Sequence, residues 1–423
     1  MTERNRLREL ADAYGTPLYV YDLDRLDAAR RDLFGWLPEE FDVFYALKAN
    51  PHVDLVQALR EGSGPGCRAE ISSTGELAAA LQAGHDPADI LYTGPGKTPG
   101  ELHEAIGQGV RLFSAESLTD LEHIGEAALA HDTVADCLLR INDETAPAAT
   151  GVRMTGRPTQ FGFDSETIAG LAPRLRAVPG TSLAGLHLFT QSNASDENAL
   201  ISEFRHTIDI AARIERELGV PLRLLDIGGG FASPYGQHGE RTAYPALRAV
   251  LEAALDAHFP GWRQGAPRLA VESGRYLVGD CGTLLASVSN VKAGRGRTFV
   301  VLDAGINTFG GLSGLGRILP VSVRVDSAPD ADSDAGQTQR VTLAGPLCTP
   351  GDTLGRDVEV PVGLGPGDLV AIPNTGAYGP TASLLMFLGR PAPAEAVVRA
   401  EDVVSVSRIE HVRTYRKVER EHE

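Results

Sequence analysis

The run FYALKANPHVDL (Phe44 to Leu55) places a lysine directly after an alternating apolar stretch. A lysine at a strand end is usually a solvated terminus. One that caps a buried strand can project into a cavity instead, where its amine can condense with a carbonyl as a Schiff base. Other strand ends carry chemistry too. In LDIGGGF (Leu225 to Phe231), Asp226-Ile227 closes a strand and Gly228, Gly229 and Gly230 follow, so backbone N–H groups can approach an anion with no side chain in the way. The bland alternative is a tight turn. In VESGRYL (Val271 to Leu277), Glu272 and Arg275 lie three residues apart after another strand. They form either a local ion pair, or an acid for a ring nitrogen and a cation for a phosphate or carboxylate.

Three further stretches have the same flavour. GLHLFTQS (Gly185 to Ser192) ends a strand with His187, Phe189 and Ser192, although a lone histidine is more often a satisfied core residue. GPLCTPGD (Gly345 to Asp352) sets Cys348 on a Gly-Pro loop, where a thiol can react rather than sit inert in a core. NTGAYGPTAS (Asn374 to Ser383) presents Tyr378 between small turn residues. GPGKT (Gly94 to Thr98) looks like the end of a phosphate-binding loop, but Leu91 stands where that motif needs glycine. No GxGxxG opens a helix after a strand.

The elements that must hold these residues follow from hydrophobic patterning. From about Asp27 to Gly274, short apolar runs (DVFYAL, ADILYTG, RLFSA, DCLLRIN, LAGLHLFT, LRLLDIGGG, RLAVESG) alternate with segments of helical period such as STGELAAALQAG and NALISEFRHTIDIAARIERELG. Repeated strand–helix units predict an α/β fold, a (β/α)8 TIM barrel over residues 25–275. Catalytic groups of such a barrel sit at the C-terminal ends of its strands. After about Arg275 the text changes to short β runs broken by Gly, Pro and Asp, which predicts a mostly antiparallel β domain over residues 276–423, joined by the strand PLYVYD within residues 1–24. Asp326 to Gln339 reads as a surface loop, and Glu144 to Gln160 as an active-site loop.

Composition narrows the function. The chain has 423 residues, 43% hydrophobic and 22% charged, as expected for a two-domain globular enzyme. The net charge of −17, with no long basic run to offset it, argues against a nucleic-acid partner. No apolar run is long enough to span a membrane and no signal core opens the chain, so the expected compartment is the cytoplasm. The four cysteines are scattered without metal-ligand spacing, so neither disulfides nor a metal site is expected.

Lys48, AEISSTGEL (Ala69 to Leu77), GLHLFTQS, LDIGGGF, VESGR, GPLC and GAY, in this order, resemble the fold-type III pyridoxal phosphate decarboxylases, the group of the diaminopimelate, ornithine and arginine decarboxylases. The resemblance runs over nearly the whole chain. It implies an alanine-racemase-like barrel with a C-terminal β domain, a pyridoxal 5'-phosphate cofactor, and a homodimer with shared active sites. It implies that Lys48 bears the cofactor, and that Gly228, Gly229, Gly230, Ser192, Arg275 and Tyr378 hold its phosphate. Glu272 would face the ring nitrogen, Phe189 the ring, His187 would belong to the cofactor-binding set, and Cys348 would act across the interface. A carboxylate at Glu272 keeps the ring nitrogen protonated and the ring a strong electron sink, which suits decarboxylation and speaks against a racemase. Cys348 or Lys48 would then protonate the reacting carbon.

The departures bear on substrate. Phe189 stands where the family has a stacking histidine, Gln191 where it has glycine, and Glu70 where it has aspartate near the lysine. Thr349 stands where diaminopimelate and ornithine decarboxylases have an acid for a distal ammonium group. A neutral hydroxyl forfeits that charge-assisted contact, and Asp352 would replace it only if the loop moved. Arg275, Thr349, Asp352 and Tyr378 are the expected substrate contacts. These features are similar to the secondary-metabolism branch of the family, which acts on unusual amino acids, siderophore intermediates or aminoacyl groups on carrier proteins. The expected reaction is α-decarboxylation in natural-product or siderophore metabolism. The alternatives are a diaminopimelate or other basic amino-acid decarboxylase, and an inactive homologue that binds a partner.

Overall fold

The computed structural model describes residues 3–62, 64–143, 152–153, 158–310, 326–327 and 337–415. The chain divides into two units. One comprises Asp22–Gly282 with Pro373–Tyr378; the other comprises Met1–Tyr21, Thr283–Ile372 and Gly379–Glu423.

The first unit is a closed barrel. Its eight strands are Phe41–Ala46, Arg68–Ile71, Ile90–Tyr92, Leu112–Ala115, Ala135–Asn142, Thr181–Leu188, Leu224–Asp226 and Arg268–Ser273. Each pairs in parallel with the next, and the last returns to the first. The strands form because their apolar residues have one interior to fill. Phe44, Leu91, Leu138, Ala184, Leu224 and Ala270, from six different strands, meet as one buried cluster. Helices start where the sequence supplies caps. Ser73 accepts from Glu76 N (3.2 Å), Ser117 from Asp120 N (3.1 Å), and Thr98 with Glu101 makes a reciprocal capping box. These caps turn the chain sharply just beyond strand ends, at the rim where the candidate site residues lie.

In the second unit a sheet carries strands in the order Thr353–Pro361, Thr338–Ala344, Arg297–Leu302, Gly282–Gly294, Leu18–Asp22, Ala394–Arg399, Asp402–Arg408. Arg297–Leu302 and Thr338–Ala344 pair in parallel, whereas the flanking pairs are antiparallel. Leu10 of the helix Glu3–Tyr14 packs with Leu18, Val20, Leu285, Ala394, Ala396 and Val398 beneath it. Among the described residues no helix is long and apolar enough to cross a membrane.

Four local expectations need correction. The first barrel strand ends at Ala46, and Lys48 sits on a 3₁₀ turn, Leu47–Ala49, because the chain must bend away from the barrel before Pro51. Arg68–Ile71 is a strand although its short run holds Arg68 and Glu70. Asp326–Ser327 pairs with Val370–Ala371, and Thr338 already belongs to a strand; the rest of that expected loop lies mainly outside the described residues. Val152–Arg153 pairs with Gln191–Ser192, while most of 144–157 is outside them.

Strand closeness makes a stability test. A Cβ on Gly185 would lie 1.7 Å from the Leu224 carbonyl oxygen, whereas a Cβ on Gly35, in the helix Leu23–Trp36, would meet nothing within 4 Å. Chemical unfolding is expected to show Gly185→Ala less stable by about 1–3 kcal/mol or more. Gly35→Ala is expected to be neutral or slightly stabilising.

Candidate active site

Lys48 is held by its neighbour strand. Register sets Ala46 beside Glu70, and both Glu70 carboxylate oxygens lie 3.1 Å from Lys48 Nζ. Glu70 is buried, but 44% of the Lys48 side chain remains open to a cleft. Burial works against a charged Lys48, yet Glu70, with Glu272 and Tyr378, outweighs it and holds the ammonium well above its usual range. The turn itself is clamped. Tyr45 donates its hydroxyl to Asn50 O (2.7 Å), Asn50 Nδ2 donates to Gly376 O (2.8 Å), and Tyr378 N donates to Ala49 O (2.7 Å). Tyr378 adopts φ +52°, a left-handed conformation that costs a bulky residue about 1–2 kcal/mol. Those contacts hold it there.

Behind the cleft lies a buried charge triad. His187 Nδ1 is 2.8 Å from Ser114 Oγ, and its Nε2 is 3.0 Å from Glu272 Oε1. Burial works against charge on His187, but Glu272 and Asp226 raise its pKa. Burial would raise Glu272, but His187, Lys48 and Arg140 lower it to about 2. Asp226 moves the other way, pushed up to about 7 by burial and by Glu272. It accepts a hydrogen bond from Gly228 N (2.8 Å). Ligand atoms of the three lie within 4.8 Å of one another. His187 was expected against the cofactor. It is 1% exposed and pairs with Glu272, whose ionised form it favours.

Lys48, Phe189, Gly230, Glu272, Arg275 and Tyr378 line one cleft. Gly230 lines it, and the two glycines before it are packed too closely against backbone to carry side chains. A Cβ on Gly228 would lie 2.3 Å from Leu188 O, and one on Gly229 would lie 2.2 Å from Glu272 O. Among the described residues Arg275 is stacked rather than ion-paired: its guanidinium carbon is 4.8 Å from the Tyr378 ring and 5.6 Å from that of Tyr235. Among the described residues, buried Arg275 Nε and Ser273 Oγ have no hydrogen-bond partner. Unpartnered donors beside a bare backbone suit an anion. The Phe189 ring lies 5.8 Å from Lys48 Nζ and 6.0 Å from the Arg140 guanidinium, giving the cleft a flat apolar face.

Other expected residues lie elsewhere in the chain. Ser192 belongs to the strand Gln191–Ser192, whose side chains are outside the described set. Cys348 and Thr349 belong to the second unit, where Cys348 is exposed. Asp352 departs from the expectation of a substrate contact. It is buried, and its carboxylate accepts from Ile306 N (2.8 Å) and Leu347 N (2.6 Å), so it is spent on tying its own loop. Sequence reasoning missed Asn50, Thr93 and Gly376. The only signal for Thr93 is its place just beyond a barrel strand.

A family model described as "Pyridoxal-dependent decarboxylase, pyridoxal binding domain" matches residues 24–279. The chain is 32% identical over 402 residues to an L-glutamyl-[BtrI acyl-carrier protein] decarboxylase of Niallia circulans, covering 94% of this chain and 92% of that protein. It is 32% identical over 398 residues to a diaminopimelate decarboxylase of Methanothermobacter thermautotrophicus, covering 92% and 88%. A 2-[(L-alanin-3-ylcarbamoyl)methyl]-2-hydroxybutanedioate decarboxylase of Staphylococcus aureus is 28% identical over 395 residues, covering 89% and 92%. Diaminopimelate decarboxylase from Helicobacter pylori complexed with L-lysine shares the fold, with a TM-score of 0.81 at 24% identity and 95% coverage of each chain.

The triad predicts a pH dependence. Unfolded aspartate titrates near pH ~4. Folded Asp226 therefore keeps a proton that the unfolded chain has lost between about pH 4 and about 7. Its contribution to stability is complete below that window and is lost as pH rises through it. Glu272 acts in a lower window, its contribution lost as pH falls from about 4 toward about 2. Asp226→Asn keeps an acceptor for Gly228 and cannot ionise. Unfolding midpoints are expected to show wild type losing stability relative to this variant, by up to about 1.4 kcal/mol per pH unit between about pH 4 and 7. The paired comparison cancels Glu76 and Glu395, which burial also raises to about 7.

Proposed function

This chain belongs to the pyridoxal-dependent decarboxylases, and we propose that it removes the α-carboxyl group of an amino-acid-derived intermediate of specialised metabolism, presented as a thioester on an acyl carrier protein. It is a carboxy-lyase whose cofactor is pyridoxal phosphate. The residues present fit that group: an accessible amine, a glycine wall without room for Cβ atoms, an arginine with an unpartnered donor, and a buried ionised acid. When bound, pyridoxal phosphate supplies the electron sink for the bond to the departing carboxyl.

The chain's own groups divide the remaining work. Lys48 offers the amine that carries the cofactor, oriented by Glu70. Glu272, kept ionised by His187, supplies negative charge for a protonated ring nitrogen. Phe189 offers a face for the ring. The Gly229 and Gly230 amides, Arg275, Ser192 and Tyr378 receive the phosphate, Gly228 shaping the turn while its own N–H is held by Asp226, and Arg275 and Tyr378 also approach the substrate. In this reading the enzyme works in the cytoplasm as a homodimer, residues 25–275 forming the cofactor domain. Cys348 and Thr349 of one protomer complete the partner's site, with Cys348 as a proton donor.

The observation that carries the substrate reading is Thr349, with Asp352 committed to its own loop. No acid of that loop remains to bind a distal ammonium group. The N. circulans relative, named for a glutamyl carrier-protein substrate, supports the same reading. A diaminopimelate decarboxylase is the second reading, favoured by the equal identity to the M. thermautotrophicus enzyme.

Carbon dioxide release separates them. The panel is meso-diaminopimelate, lysine, ornithine, arginine, glutamate, and glutamyl and other aminoacyl carrier-protein thioesters. Turnover is expected on a thioester, at least about 100-fold above any free amino acid. Efficient turnover of free meso-diaminopimelate would replace this reading with the second. Lys48→Ala is expected to abolish both turnover and the visible absorption of the bound cofactor.

A further inference from the structure

Lys48 faces a chemical conflict. Its amine must be neutral to attack a carbonyl carbon, yet Glu70 stabilises the ammonium. Each time the amine is consumed or released, a proton must leave or return. The cleft itself is to be filled by cofactor and substrate, so a route through the protein is valuable.

The barrel rim contains such a route. Thr93, 2% exposed and the first residue after the third strand, donates its hydroxyl to Glu70 Oε1. Thr93 Oγ1 lies 3.1 Å from Ser72 Oγ, which follows the second strand. Ser72 is exposed to solvent, and its main-chain N–H is fixed by Glu76 Oε2 at 2.6 Å. Strand register brings these groups together, with Ala46 beside Glu70 and Ile71 beside Tyr92.

We propose that Ser72, Thr93 and Glu70 form a proton relay between bulk water and the Lys48 amine. The inference rests on Lys48 being the cofactor-bearing amine. In the charging direction, water gives a proton to Ser72 Oγ while the Ser72 hydroxyl proton passes to Thr93 Oγ1. The Thr93 proton passes to Glu70 Oε1, and the carboxyl hands a proton to Nζ. Each relay group regains one proton for the one it loses. Hydroxide stays in bulk water and is neutralised by buffer, and Lys48 becomes an ammonium. With the hydroxyls rotated, the same steps in reverse discharge it. The observed direction of the Thr93 hydrogen bond is the charging one. Thr93 and Glu70 are positioning groups here and need not touch substrate. The charged and titratable groups facing Lys48 are Glu70, Glu272 and Tyr378, and Glu70 in turn faces Glu76.

The test follows cofactor capture, with no substrate present. Protein freed of cofactor is mixed with pyridoxal phosphate, and growth of the visible band is timed across the neutral and alkaline range. Thr93→Val keeps the shape of the side chain and removes the hydroxyl. It is expected to slow capture about tenfold or more, and added imidazole is expected to restore part of the rate. Equilibrium affinity and thermal midpoint should stay near wild type. Thr93→Ser restores the hydroxyl and should return the rate to within about twofold. Should Thr93→Val not fold, Thr93→Cys, with a weakly hydrogen-bonding thiol, must show intermediate slowing. Wild-type speed in Thr93→Val or in Thr93→Cys, or equal slowness in Thr93→Ser and Thr93→Val, would overturn the relay alone. A wild-type protein that forms no visible band would overturn the relay together with the reading it rests on.

Discussion

The pairing of Lys48 with Glu70 is the constraint on which the site depends. One buried carboxylate, 3.1 Å from the amine through both oxygens, fixes where the amine points and how strongly it holds its proton. Parallel register between the first two strands sets that pairing, and apolar filling of the barrel sets the register. A one-residue slip would turn Glu70 to the other face. The barrel core is therefore the reason the amine is in place, rather than a scaffold indifferent to it.

The second constraint is electrostatic. Three ionisable groups share a buried volume, and their charges are arranged so that only part of the burial cost is met. His187 and Glu272 compensate each other, while Asp226 is driven toward its neutral form. The result is an acid at Glu272 that stays ionised where a carboxylate would otherwise tend to protonate. Arg275 is treated oppositely. Stacked on Tyr378 and Tyr235, and paired with no acid among the described residues, it keeps its charge for an incoming anion. Two different strategies, compensation and stacking, give the two ends of one cleft opposite electrostatic characters.

Much of this was legible in the sequence, for a physical reason. Strands buried in a parallel barrel read as near-continuous apolar runs, and functional residues follow those runs directly, so Lys48, Gly228, Glu272 and Arg275 stand out at their ends. The strand Arg68–Ile71 escaped because four residues, two of them charged, carry too little hydrophobic signal. The pairing of His187 with Glu272 and Asp226 was not legible, since the periodicity of one strand does not reveal what a neighbouring strand presents. Asp352 could replace the missing acid only if its loop moved; two main-chain N–H groups hold it inward instead. Asn50 and Gly376 were invisible because their partners lie hundreds of residues away.

The central claim is that Lys48 is the amine that carries the cofactor. The chain has only four lysines, Lys48, Lys97, Lys292 and Lys417, which makes a covalent label easy to locate. Lys97 is the instructive control, because it is also buried but is spent on Asp120 at 2.8 Å. The measurement is borohydride reduction of the pyridoxal phosphate-loaded protein, followed by peptide mass spectrometry. The account predicts a stoichiometric pyridoxyl label on the peptide containing Lys48. Label on Lys97, Lys292 or Lys417 in its place, or no stable label on the loaded protein, would contradict it.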